Sequence, residues 1–426
     1  MLCTMLAIGA RGDVQPMLAL GAGLRAAGLD VICATHADFA ESARALGLET
    51  TVILGDSTTF FGGAAGVALR EYAADPRRLR QFVDAYLPVA YEKLLRAATA
   101  ACQGSDAVVC WPFGRGATSL AEALQVPVFV ACPYPPAHLP TITFPNPYVA
   151  GTGTGEAAIR RSWRRNLPLF QMNDPVINRW RQQTLGLPPI GWREDLRRLR
   201  RLPHLLGFSP AVLPRPADWA PWVEVTGFWF ADAGADYTPP PELRAFLDAG
   251  PPPVAIGFSS QVVRDGEALA RAVIDGVEQS GLRAVLLGGY GALARVTPTA
   301  QVCPVPSVPH AWLFPRVAAV VHHGGSGSTA EALRAGVPNI AVPFGYDQPL
   351  WGARLAALGV GPAPIAASAL TADALAAALR QLTTDAGMSA RATAIGEVIR
   401  SEDGVARAAA TVIATLEGAS SPGPVR

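Results

Sequence analysis

Residues 322–331 read His322-His323-Gly324-Gly325-Ser326-Gly327-Ser328-Thr329-Ala330-Glu331, and Asp347-Gln348 follow shortly after. The run comes directly after Val317 to Val321, an apolar stretch with the pattern of a buried strand. It passes directly into a helical pattern, Ala330 to Ala335. Strand, glycine- and hydroxyl-rich turn, then helix is the layout of a phosphate cradle. The first N–H groups of a helix have no intrahelical partner, and the helix dipole favours negative charge there. Gly324, Gly325 and Gly327 let backbone approach a ligand closely, and Ser326, Ser328 and Thr329 add hydroxyls. An ordinary helix cap needs fewer glycines and no histidine pair. Metal binding by His322 and His323 is not expected, because neighbours at a strand end point to opposite faces. No cysteine or carboxylate stands at ligand spacing either. The expected ligand carries a diphosphate, with no metal and no resident cofactor.

Outward from this run, strands alternate with helices. On the N-terminal side, strands are expected at Met1 to Ile8, Asp30 to Ala34, Thr50 to Leu54, Ala107 to Cys110 and Val126 to Ala131. Helices are expected at Met17 to Ala27, Asp38 to Leu46, 77–101 and 115–125. The Pro-rich segments Leu213 to Trp222, Tyr237 to Glu242 and Pro251 to Pro253 mark a break. The alternation then restarts with Val254 to Phe258, a helix over 265–280, Arg283 to Leu287, a strand near Ala300 to Cys303, and Asn339 to Val342. The expected fold is α/β: two Rossmann-like, doubly wound parallel-sheet domains facing a central cleft. The expected division is residues 1–229, a linker at 230–250, residues 251–400, and a C-terminal helix and tail at 401–426 that packs back on the first domain.

Composition narrows the partners. The chain has 426 residues, half of them hydrophobic and 16% charged, with a net charge of +1. That suits two ordinary cores and argues against a nucleic-acid partner. Lys93 is the sole lysine. Six scattered cysteines without a C-x-x-C spacing read as reduced core residues. No apolar run reaches spanning length, and the N-terminus lacks a basic leader region, so a cytoplasmic monomer or homodimer is expected. Residues 133–170 are rich in proline and aromatics and follow the end of a strand, which suits a wall facing a small, mostly apolar molecule. Phe60-Phe61 adds to that expectation.

The stretch His322 to Gly336, continuing Val337 to Trp351, resembles the nucleotide-sugar motif of inverting glycosyltransferases with the GT-B fold. The nearest flavour is the bacterial natural-product and sterol-glucosyltransferase-like group. Supporting likeness is found at Gly9 to Pro16, Val212 to Pro216, Val225 to Gly227, Gly257 to Ser260 and Val308 to Arg316. The resemblance implies transfer of a sugar from a UDP- or dTDP-sugar to a hydroxyl of an apolar acceptor, with inversion and without metal. It implies that His322 and the turn Gly324, Gly325, Ser326, Gly327 and Ser328 hold the diphosphate. Asp347 and Gln348 would bond the sugar hydroxyls, Val308 and His310 would hold the base, and Ser260 would contact phosphate. In Gly257-Phe258-Ser259-Ser260 the family pattern has glycine where Ser259 stands. Arg11 and Gly12 are expected near the donor phosphates or the acceptor. Asp13 matches the position of the acceptor-activating base, and it also suits an N-cap for a helix beginning at Val14. His36 and His138 are the alternative bases. A nucleotide-sugar epimerase of the same fold and a non-catalytic nucleotide-sugar-binding protein are the rival readings.

Overall fold

The strands fall into two wholly parallel sheets. In the computed structural model the described residues are 1–57, 76–111, 114–149, 155–165, 167–171, 174–231, 237–259, 266–289 and 292–420. The first sheet contains β1 (Leu2–Ala7), β2 (Asp30–His36), β3 (Glu49–Leu54), β4 (Ala107–Trp111), β5 (Val128–Cys132), β6 (His204–Leu206) and β7 (Val223–Val225). Its order is β3-β2-β1-β4-β5-β6-β7. The second contains β8 (Val254–Gly257), β9 (Ala284–Leu287), β10 (Val302–Val305), β11 (Ala319–His322) and β12 (Asn339–Ala341), in the order β10-β9-β8-β11-β12. Each order reverses once, between β1 and β4 and between β8 and β11. In open parallel sheets, ligands bind beyond the carboxyl ends of the strands at such switch points. Two compact units result: Met1–Phe208 with Arg215–Ala231 and Asp403–Arg426, and Ser209–Pro214 with Asp232–Glu402.

Burial on both faces explains why most of the strands read as continuous apolar runs. All five residues of β4 and of β5 are buried. In the second sheet alternate residues separate into two clusters. Val254, Ile256, Ala284, Leu286, Ala319 and Val321 pack on one face, while Ala255, Val285 and Val320 pack on the other. All six cysteines are free and buried, and burial pushes the Cys3, Cys33 and Cys102 thiols up to about 12.

Most expected elements form within a residue or two of their expected bounds, and the differences have local causes. The first helix spans Arg11–Ala26 rather than beginning past the Gly9–Pro16 segment, and it runs through Pro16. Proline there forgoes only the bond to the Gly12 carbonyl, near the solvent-facing helix start. β6 and β7, three residues each and interrupted by the polar His204 and Glu224, give too weak a pattern to be read from sequence. Inside the stretch read as a linker, Pro241–Asp248 is helical, opened by proline at its first position, and Leu243 sits in the core of the second unit. The Gly404–Ser420 helix packs in the first unit, where the Thr411 hydroxyl donates to Glu224 (2.6 Å). Gly404 lies so close to the Gly227 carbonyl that a Cβ would stand 2.5 Å from it. No described helix is long and apolar enough to cross a membrane.

Two buried histidines tie the Pro-rich loop to the first sheet. His138 and His204 share a hydrogen bond between their Nε2 atoms at 2.8 Å, and His204 Nδ1 donates to the Leu202 carbonyl at 2.7 Å. Burial, then the charge of His204 and Arg200, pushes His138 well below the usual imidazole range. Burial pushes His204 down to about 4. The folded state therefore resists protons that the unfolded chain takes up below about 6.5. Stability is complete above that pH and falls as pH drops from about 6.5 to about 4. The thermal midpoint should already decline between pH 6.5 and 5, above the titration of ordinary carboxylates. Calorimetry at pH 5.5 should detect proton uptake on unfolding, and a flat midpoint across this window would contradict the assignment.

Candidate functional site

Asp13 lies at the carboxyl end of β1, beside the switch point with β4. It is the third residue of the Arg11–Ala26 helix, not its N-cap; Ala10 occupies the cap position. Oδ2 of Asp13 reaches back and accepts the Ala10 N–H at 3.0 Å, the carboxylate half of a capping box. Oδ1 accepts the Tyr134 hydroxyl at 2.5 Å and the Trp111 indole N–H at 3.4 Å. One carboxylate thus caps the helix and faces an aromatic cluster at the ends of β4 and β5. Burial raises the Asp13 carboxyl above the usual carboxylate range, against the lowering effect of its bonds from Tyr134, Trp111 and Ala10 and the charge of His36. Gly9, at φ +136°, makes the seat possible, because a Cβ there would stand 2.6 Å from Oδ2.

Neither alternative base is an exposed loop histidine. His36 is buried at the end of β2; its Nε2 accepts the Gly9 N–H at 3.1 Å and its Nδ1 donates to the Gly55 carbonyl at 3.0 Å. It braces the turn that carries Asp13. His138 is committed to His204. Arg11 and Gly12 are exposed on the first helical turn, with Arg11 Nε donating to Gln15 Oε1 at 3.2 Å.

In the second unit the expected strand, glycine-rich turn and helix form at Ala319–His322 and Ser326–Ala335. Gly325 is the N-cap of the Ser326–Ala335 helix, and no side chain caps it. The first amides of this helix point out over a turn made of Gly324, at φ +86°, and Gly325. Ser326 and Ser328 are buried on the first turn, and Gly327 leaves open space beside it. His322 takes an unexpected place. The register pairs Val320 with Asn339, so His322, two residues on, shares a face with Asn339. Its Nε2 donates to Asn339 Oδ1 at 3.1 Å, and its Nδ1 accepts the Gly324 N–H at 3.0 Å. Both ring nitrogens therefore serve the protein, bracing the turn from behind, and burial pushes the ring down to about 4. His323 lies against the helix cap, where a Cβ on Gly325 would run into its Nε2. Its Nδ1 is buried with no hydrogen-bond partner among the described residues. Burial, then His322 and His310, hold its ring at about 3. His323 carries no ligand role in the sequence pattern, and strand alternation separates its direction from that of His322.

The Asp347-Gln348 pair abuts this turn. A Cβ on Gly324 would meet the Gln348 carbonyl oxygen at 3.0 Å and the Gln348 Cβ at 3.3 Å, so the two motifs touch. Asp347 precedes the Gln348–Leu358 helix, and its Oδ2 accepts the Trp351 indole N–H at 2.7 Å. Gln348 Oε1 accepts the N–H groups of Phe344 (2.7 Å) and Gly345 (3.2 Å). With its oxygen so used, Gln348 has its amide N–H groups to offer. Val308 is buried after β10 against Leu313 and Phe314. His310 opens the His310–Leu313 helix and stacks on Phe314 at 4.5 Å, with 14° between the rings. Ser260 and Phe60-Phe61 lie outside the described residues; Ser259, beside the former, holds φ +55°. No cluster of three or more metal-ligating side chains occurs among the described residues. Tyr134 and Trp111 were also passed over, being 121 and 98 residues from Asp13 in the chain.

Comparison with known proteins agrees with both halves. Residues 3–137 match the Glycosyltransferase family 28 N-terminal domain, and residues 292–415 match the Erythromycin biosynthesis protein CIII-like, C-terminal domain. The sterol 3-beta-glucosyltransferase of Emericella nidulans is 36% identical over 98% of this chain, and that of Yarrowia lipolytica is 34% identical over 99%. The chain spans only 30% and 29% of the length of these two relatives. Among solved structures, the kitacinnamycin glycotransferase superposes with a TM-score of 0.68 at 19% identity, covering 97% of this chain and 99% of its own. The glycosyltransferase VinC in complex with dTDP superposes at 0.65 and 19% identity, covering 98% and 100%.

Proposed function

The chain belongs to the GT-B glycosyltransferases, and from that premise we propose that it transfers a sugar from a UDP- or dTDP-sugar to a hydroxyl of an apolar small molecule, with inversion and without metal. The observation that carries this reading is the uncapped helix N-terminus at Ser326, with Asp347-Gln348 against the same turn. The amides of Ser326, Gly327 and Ser328 and the serine hydroxyls hold the diphosphate and stabilise it as it departs. His322 acts by bracing the turn, and His323 lines it. Asp347 accepts from the sugar hydroxyls and the Gln348 amide donates to them. The main chain at Val308 and the His310 ring hold the base, with Ser260, Arg11 and Gly12 as further donor contacts.

Asp13 accepts the proton of the acceptor hydroxyl as its oxygen attacks the anomeric carbon opposite the diphosphate. The aromatic rings beside Asp13, and the sterol acceptors named for the relatives, support an apolar acceptor. The purified protein, given UDP- or dTDP-glucose and sterol, phenolic or polyketide acceptors in EDTA, should release nucleoside diphosphate. From an α-donor it should form a β-glycoside, identified by mass spectrometry and the anomeric coupling constant. An obligate metal requirement or retained configuration would overturn the mechanism. Conversion of donor alone to another sugar nucleotide would favour an epimerase.

A further inference from the structure

The geometry points to Tyr134, with Trp111 behind it, as a positioning residue for Asp13: these two donors occupy Oδ1, so the acceptor proton is taken at Oδ2. The inference deepens the reading above and rests on it. An ionised carboxylate offers about four lone-pair sites. On Oδ1, one takes the Tyr134 hydroxyl at 2.5 Å and the other takes the Trp111 N–H at 3.4 Å. The indole N–H also lies 3.3 Å from the Tyr134 oxygen, and the two rings meet edge-on at 5.4 Å and 86°. Tyr148 packs edge-on against Tyr134 at 6.5 Å. The phenol is thus held between two rings.

On Oδ2, the Ala10 N–H takes one site, and no other described donor reaches Asp13. The space beside Oδ2 is kept by Gly9, whose missing Cβ would fill it. One lone pair remains, on the oxygen next to a glycine. In the transfer step the acceptor O–H bond breaks and its proton passes to Oδ2. The freed electron pair forms the bond to the anomeric carbon, whose bond to the diphosphate oxygen breaks with its pair leaving on the diphosphate. Tyr134 keeps its own proton throughout. Its second effect is on charge: a donor bonded to the carboxylate favours the ionised form against the burial that opposes it. Of the bonds doing so, that of Tyr134, also the shortest, lowers the Asp13 carboxyl most.

The test is Tyr134→Phe in the full chain. The acid limb of kcat/KM should move to higher pH by about one to two units. Donor KM should stay unchanged, and kcat should recover toward the parent value as pH rises. Trp111→Phe should shift the limb in the same direction by less. A merely structural role would lower kcat by one factor at every pH and leave the limb in place, which would overturn the assignment. A second readout needs no turnover: the Asp13 carboxyl carbon, followed by nuclear magnetic resonance in aspartate-labelled protein, should titrate at higher pH in Tyr134→Phe. If the parent protein makes no glycoside, the functional reading fails while this titration still decides the role of Tyr134. An unshifted carbon would refute it.

Discussion

Replacing Asp13 by Asn should lower kcat for glycosyl transfer by about 10²- to 10⁴-fold, the range of a general base, while leaving nucleotide affinity near that of the parent. The carboxylate and the cradle belong to different units, so loss of one need not disturb the other. The capping bond sets the contrast. Oδ2 accepts the Ala10 N–H, and loss of such a cap costs about 1 kcal/mol. An amide also turns a donor either toward Ala10 or toward Tyr134 and Trp111, all of which donate. If Asp13 were only a cap, the thermal midpoint would fall slightly and turnover would persist. The measurement is therefore paired: kcat at saturating donor, and the melting curve. The pH profile adds a sign. A base works when ionised, so activity is lost as pH falls through the Asp13 pKa. Burial places that limb above the usual carboxylate range of about 3.9.

Gly324→Ala should raise the donor KM by about 10- to 100-fold, or about 1.4 to 2.7 kcal/mol, and lower the thermal midpoint. At φ +86° an alanine is strained by about 1–3 kcal/mol. Its Cβ would also stand 3.0 Å from the Gln348 carbonyl oxygen and 3.1 Å from the Ala341 Cβ. The crowding can be relieved only by moving the turn or the start of the Gln348–Leu358 helix, and both face the donor in this reading. The Gly324 N–H would also leave His322 Nδ1, which it now meets at 3.0 Å. Gly327→Ala is the control. Nothing lies within 4 Å of a Cβ there, so loss of affinity with an unchanged melting curve would report contact with ligand alone. Donor affinity by calorimetry with UDP and dTDP separates the two variants. An unaltered affinity in Gly324→Ala would remove the cradle from the diphosphate.

The legible parts of the fold are those with a strong period or a local turn signal. The longer strands other than the half-exposed β3 are largely apolar because parallel sheets bury both faces, and a run such as Ala107–Trp111 shows this without reference to its neighbours. The glycine-rich turn after β11 was legible because its glycines, hydroxyls and helix start are contiguous. β6 and β7 were not: His204 and Glu224 interrupt their short apolar runs, and each strand forms only against its neighbour, β6 on β5 and β7 on β6. The first-helix boundary was misplaced because Pro16 reads as a breaker, while the carboxylate of Asp13 reaching back to Ala10 starts the helix earlier.

By itself the sequence determined two parallel α/β units, a helix that starts from a glycine-rich turn, and the residue types set around it. These follow from patterns a few residues long, where neighbours in sequence are neighbours in space. Tertiary structure alone decided what each side chain does there. The β11–β12 register turned His322 toward Asn339 and made it a brace. The adjacency of β1, β4 and β5 brought Trp111 and Tyr134 to Asp13. The Asp13 contacts join residues 98 and 121 positions apart, and strand order, which no local pattern encodes, is what brings them within hydrogen-bond reach.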